Sequence, residues 1–399
     1  MHPLSGPSSE STAMAGSPLA GQGETKRPPD ADSRSAVPKR LDSLTGLRFA
    51  AAAAVLYAHC RLMIDPHLAE TLGPEVWLGG SSVSLFFILS GYVLTHSARP
   101  DDTARAFWRR RAAKIFPNHV LTWCVVVIAL AGAGTAAVTT GPGMVATVAD
   151  LFLVQTWVPS QLFVSAGNPV SWSLAAEVFF YLLFPVLLPR VKRLSPRGLL
   201  IGSATAIAIA WAWPVFSALV VNPEGAFFPD YWFLYMLPVT RLPEFVLGMM
   251  AARIASSGLR IPRIGVIPAA LGVISAVVMN PEFLPQRFLY AASTVAPLVI
   301  LVYATAELDL RDRKSLLRTR PLVFLGEISY AMYLVHLLLL GLLYLALRNH
   351  GWSNLGVVLV GLPVVLLTSW LMYAGVERPC VRRFSTPRAR ARTRTGAAS

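Results

Sequence analysis

Charge is what this sequence lacks most. Only 14% of its 399 residues are Asp, Glu, Lys or Arg, against about 25% in ordinary soluble domains. With 54% hydrophobic residues and a mean hydropathy of +0.55, that shortage excludes a soluble globular protein and leaves an integral membrane one. Acidic side chains are scarcer still, 21 against 35 basic ones, for a net charge of +14. The basic residues punctuate apolar stretches and form no continuous patch, which argues against a nucleic-acid partner. Cysteine is rare too. Cys60, Cys124 and Cys380 have neither metal nor redox spacing, and an odd number gives no disulfide framework, so no metal site is expected. Internal repeats are missing, and no connection is long enough for a second folded domain.

Long apolar runs are what the chain has. They predict an all-α fold, a polytopic membrane helix bundle of about ten transmembrane helices. The expected spans lie near 44–62, 78–97, 116–137, 170–189, 198–220, 232–253, 264–280, 288–306, 322–347 and 353–374. Lys and Arg divide unevenly between alternate connections. One side, with both tails, holds 30; the other holds Arg61, Arg287 and Arg348; Arg48 and Arg241 fall in or at the edge of spans. This asymmetry puts both termini in the cytoplasm and makes the protein a multi-pass component of the cell membrane. Residues 1–40, rich in Ser, Pro, Gly and Ala, read as a disordered cytosolic tail. Residues 41–384 form the membrane domain, and 385–399 a basic disordered cytosolic tail near anionic headgroups.

Arg48 and His59 stand out within the first span. Eleven residues at about 100° each complete about three turns, so both side chains share one face, roughly 16 Å apart along the axis. Ionisable groups inside a span are costly and face a bundle interior or a polar cavity. His59, in the outer half, suits a general base that takes a proton from a hydroxyl as its oxygen attacks a carbonyl. The plainer reading is a helix-end histidine bonded to backbone. Arg48, on the cytosolic side, offers a planar fork for phosphate or a polar cofactor; otherwise it snorkels or pairs with Asp42.

Further candidates follow along the chain. Phe86–Tyr92 holds Ser90, Gly91 and Tyr92, read either as small-residue packing or as cavity lining. The segment Arg105, Arg109, Arg110, Arg111 and Lys114, interleaved with aromatics, reads as a cytosolic loop that could also bind an anionic cofactor. Glu177, inside the fourth span at a depth similar to His59, is expected to orient that imidazole as the carboxylate of a triad does, or to bond a neighbouring helix. Arg241 and Glu244 either pair with each other or serve an acceptor site. Ser329, Tyr333 and His336 share a stripe that either lines a cavity or joins helices.

Together these segments resemble the acyltransferase-3 family of bacterial integral membrane acyltransferases. The matching features are the Leu-Thr-Gly-Leu-Arg48 start with ten residues before His59, Phe86–Tyr92, the Arg-rich segment, Ser171–Tyr181, Thr240–Gly248, Ser329–His336 and Glu377–Pro379, in the family's order over about residues 41–384. The resemblance implies transfer of an acyl group, usually from acyl-coenzyme A, to a hydroxyl on a carbohydrate, glycan or small natural product. Acyl-coenzyme A is then a co-substrate, with no cofactor permanently bound. Arg48 and His59 are implied to be essential. The chain looks like the stand-alone branch, without an appended esterase-like domain, and most like actinobacterial members that acylate macrolide antibiotics; other stand-alone relatives modify surface polysaccharide. The rival class is a multi-helix transporter.

Overall fold

The computed structural model describes residues 40–68, 73–99, 102–259, 262 and 264–385. Of the expected disordered tails, residues 1–40 and 385–399, all but Arg40 and Ser385 lie outside the described residues. Ten long helices form the bundle: α1 Asp42–Ile64, α2 Pro74–His96, α3 Ala104–Gly132, α4 Trp172–Lys192, α5 Pro196–Phe216, α6 Pro238–Ser256, α7 Val266–Phe283, α8 Ala292–Leu310, α9 Arg320–Leu347 and α10 Asn354–Met372. Among the described residues, nine helices are long and apolar enough to span a membrane. The tenth expected span, α6, carries Arg241, Glu244 and Arg253. Charge keeps it out of the apolar class, yet it must cross because it links the outer end of α5 to the inner end of α7.

The basic segment is helix, not loop. Thr103 accepts a hydrogen bond from the Ala106 amide and caps α3 at Ala104, twelve residues before the expected start. Arg and Ala favour helix, and the helix continues through Pro117 although its ring removes one amide donor and crowds the carbonyl four residues before it. The helix stops at Gly132, and Gly134 follows with φ +62, a left-handed conformation glycine adopts without penalty.

Close backbone approach builds the centre. A Cβ on Gly91 of α2 would collide with the Phe245 carbonyl oxygen, and one on Gly248 of α6 with the Ile88 carbonyl oxygen. The two glycines therefore let α2 and α6 touch along their backbones, as small residues do in membrane bundles. The inner end of α1 is held to α8, where Asp309 accepts from the Ser43 amide and hydroxyl, both at 2.8 Å.

On the outer side, residues 140–171 fold back over the bundle around Asp150. Its buried carboxyl accepts from Gln155 Nε2 at 2.8 Å, the Asn168 amide at 3.0 Å and the Ser171 hydroxyl. Asn168 Nδ2 donates to the Leu334 carbonyl at 3.0 Å, which ties the segment to α9.

Gly91→Val should lose at least about 1–3 kcal/mol of stability through overpacking. Gly132→Ala, with nothing within 4 Å of the added carbon, should lose none; thermal melting of the detergent-solubilised variants measures both. A second expectation concerns pH. Burial pushes the Asp150 carboxyl up to about 7, against the opposing bonds from Ser171 and Asn168, while the unfolded chain titrates near ~3.9. Between those values the folded form keeps a proton the unfolded form has lost, so the stability it confers is full below pH ~4 and is lost as pH rises through about 7. Melting temperature measured from pH 5 to 8 should therefore fall in the wild type relative to Asp150→Asn.

Candidate functional site

Two cavities of the bundle, one above the other, are lined by the ionisable candidates. The inner cavity, about 120 Å³, is lined by Arg48 of α1, Ser90 of α2, Arg111 and Lys114 of α3, Glu177 and Tyr181 of α4, and Ser329, Tyr330 and Tyr333 of α9. The outer cavity, about 460 Å³, contains His59 among Trp77, Trp172, Phe228, Tyr231, Tyr235, Gln286 and Tyr290. Only the outer one reaches the size of usual small-molecule pockets, roughly 300–1,000 Å³. Val83 and Tyr333 line both and so stand at the boundary. The Tyr333 hydroxyl accepts from Ser173 at 2.8 Å and donates to the Val170 carbonyl at 3.1 Å.

The inner cavity is charged. Helical spacing turns Arg111 and Lys114 inward, while Arg105 and Arg109 are exposed and Arg110 is paired with Asp102. Of the five arginines expected to bind a cofactor, Arg48 and Arg111 line the cavity and the other three do not. Lys114 forms an ion pair with Glu377, whose other oxygen accepts from Asn118 at 3.0 Å. Glu177 accepts from the Tyr181 hydroxyl at 3.0 Å, which lies 3.1 Å from Ser90 Oγ. Arg48 lines this cavity rather than pairing with Asp42, whose carboxylate meets Arg40 at 2.6 Å. With Lys114 answered by Glu377, two guanidinium groups face one free carboxylate, Glu177.

His59 and Glu177 do not meet. The bond from Asn168 to Leu334 starts α4 at a level two residues from His336, already within the bundle. Glu177, five residues past Trp172, lies about 8 Å deeper. The partner at His59 is His336: its Nε2 lies 3.2 Å from His59 Nδ1, with ring centroids 5.0 Å apart. His59 Nδ1 also lies 2.9 Å from the Val55 carbonyl oxygen.

Arg241 and Glu244 line neither cavity. Both are fully buried and share two hydrogen bonds, 2.8 and 3.2 Å. Arg241 also donates to Ser84 Oγ and the Tyr235 carbonyl and lies over the Phe87 and Tyr235 rings. It holds Tyr235 in the outer wall from behind. Tyr92 likewise faces away from the cavities, buried in the core and stacked on His96; only the Ser90 side of that turn lines a cavity. Ser329 lines the inner cavity and donates to the Gly326 carbonyl at 2.8 Å.

The aromatic wall escaped sequence reasoning. Phe227, Tyr231 and Tyr235 recur every four residues and stack in sequence, each pair of centroids 5.3 Å apart, with Trp172 against Tyr235 at 4.5 Å. That spacing was the available signal, but a membrane-interface belt has the same composition.

The chain matches the acyltransferase domain family over residues 41–374. It is 35% identical to Acyltransferase MdmB of Streptomyces mycarofaciens, an alignment covering 86% of this chain and 92% of that one. It is 28% identical to Exopolysaccharide production protein ExoZ of Rhizobium meliloti, over 79% and 94% of the two chains. With O-acetyltransferase OatA of Staphylococcus aureus it shares 24% identity over 75% of this chain, spanning 50% of that protein. No solved structure matches. A family match over nearly the whole bundle, with its ionisable groups gathered around two stacked cavities, makes this chain a member of the acyltransferase-3 family of multi-pass membrane acyltransferases.

Proposed function

We propose that this protein transfers a short acyl group from acyl-coenzyme A to a hydroxyl of a macrolide-type natural product or its sugar. The observation that carries this reading is the pair of unlike cavities meeting at Tyr333 and Val83. The inner, basic one suits the phosphates and extended arm of the donor, entering from the cytosol past Arg111 toward Arg48. The outer, aromatic one suits the apolar faces and hydroxyls of a bulky acceptor. The likeness to actinobacterial members of the family supports the choice of acceptor. ExoZ, whose name denotes exopolysaccharide production, favours a second reading, O-acylation of a cell-surface glycan.

In this mechanism the His59 imidazole takes the proton of the acceptor hydroxyl as its oxygen attacks the thioester carbonyl. The new ester C–O bond forms, the C–S bond breaks, and the proton held on His59 returns to the departing thiolate. Glu177 belongs to the donor side, where it accepts from Tyr181 between the two guanidinium groups.

The test uses membrane-embedded protein with labelled acetyl-, propionyl- and isovaleryl-coenzyme A, and either a hydroxylated macrolide or a crude cell-wall glycan as acceptor. Mass gain on the macrolide supports the first reading, and gain on the glycan alone the second. Net transport without acylation would return the transporter. His59→Ala should lower turnover by about 10²–10⁴-fold, the usual contribution of a general base, while leaving expression and melting unchanged. Arg48→Gln should instead raise KM for the donor by about tenfold or more, the value of one charge-assisted hydrogen bond.

A further inference from the structure

The hydrogen bonds around the two histidines fix where their protons sit. His336 Nδ1 lies 2.7 Å from the Tyr333 carbonyl oxygen and 3.3 Å from that of Met332. Carbonyl oxygens only accept, so Nδ1 carries the hydrogen and the neutral ring keeps its lone pair on Nε2. That nitrogen lies 3.2 Å from His59 Nδ1. His59 Nδ1 therefore faces two acceptors, the His336 lone pair and the Val55 carbonyl oxygen at 2.9 Å. It must carry the hydrogen, which leaves the His59 lone pair on Nε2, in a ring that lines the outer cavity.

We infer that His336 is a positioning residue that fixes the tautomer and ring orientation of His59, so that Nε2 is the proton-accepting nitrogen. The inference rests on the general-base reading of His59. The backbone contact to Val55 alone leaves the His59 ring free to tilt about one bond; the second acceptor, on a different helix, sets its plane. His336 is itself immobilised, 1% exposed and held by its own helix turn. When His59 gains its second proton, the same lone pair solvates the imidazolium without a buried carboxylate. The part His336 plays is thus that of the carboxylate in a triad, performed by a neutral ring.

Two polar variants separate this role from packing. H336N keeps a donor beside the Tyr333 carbonyl but has no acceptor at the Nε2 position, whereas H336Q places an amide oxygen there. On the donor–acceptor pair that the wild type turns over, H336N should lower kcat about 10- to 100-fold with KM unchanged, a part of what a general base contributes. H336Q should recover most of that loss. Wild-type kcat in H336N, equal loss in both variants, or a change confined to KM overturns the positioning role. H59A is run alongside. If it still turns over, the base assignment fails and the positioning role falls with it; if it is inactive while H336N is normal, the positioning role alone falls.

Discussion

The cost of holding charge inside a bilayer organises this molecule. An ionisable side chain in a span must be paired, hydrogen-bonded or turned toward a polar cavity. Arg241 takes the first course completely, with Glu244, Ser84 and the Tyr235 carbonyl as hydrogen-bond acceptors and two rings as faces. Lys114 is answered by Glu377. What remains is Arg48 and Arg111 around Glu177, and these line a cavity. The bundle answers its other central charges and leaves an excess of guanidinium at one place, and the proposed donor site rests on that excess.

The same constraint explains why so much of the architecture is legible in the sequence. Apolar runs must be long enough to cross, so all ten spans are visible, and the basic residues that cannot cross report the sides. The eleven-residue separation of Arg48 and His59 also translates directly, since one rigid helix carries both: the first reaches the inner cavity and the second the outer one. Where the chain spends charge inside a helix the reading fails. The Arg-rich start of α3 looks like a loop because its inward face is Phe107, Arg111, Lys114 and Asn118, an i, i+4, i+7, i+11 stripe that an apolar pattern does not detect.

Depth across different helices is a separate matter. Glu177 sits at the expected place on its own helix, but that helix begins inside the bundle because Asp150 gathers residues 155–171 and Asn168 fastens them to α9. A long-range tie of this kind leaves no local periodicity to read. The aromatic wall was hidden for the opposite reason: its residues are conspicuous, but Trp and Tyr near a span end signal the membrane interface as readily as a ligand.

Placing the carboxylate below and a second imidazole beside His59 follows from the same economy of charge. A carboxylate at the His59 level would lie among Val55, Met332 and the ring of Tyr333, with no cation in the outer cavity lining to keep it ionised, and a protonated acid would have no free charge to offer the imidazolium. Burying one unpaired ion there costs several kcal/mol, on the order of the penalty for an ion in a protein interior. A neutral imidazole offers the same acceptor lone pair and no net charge, and its remaining hydrogen satisfies a carbonyl of its own helix. In the proposed mechanism charge appears beside His59 only while a proton is in transit, and the Glu177 carboxylate lies in the inner cavity, whose lining also includes Arg48 and Arg111.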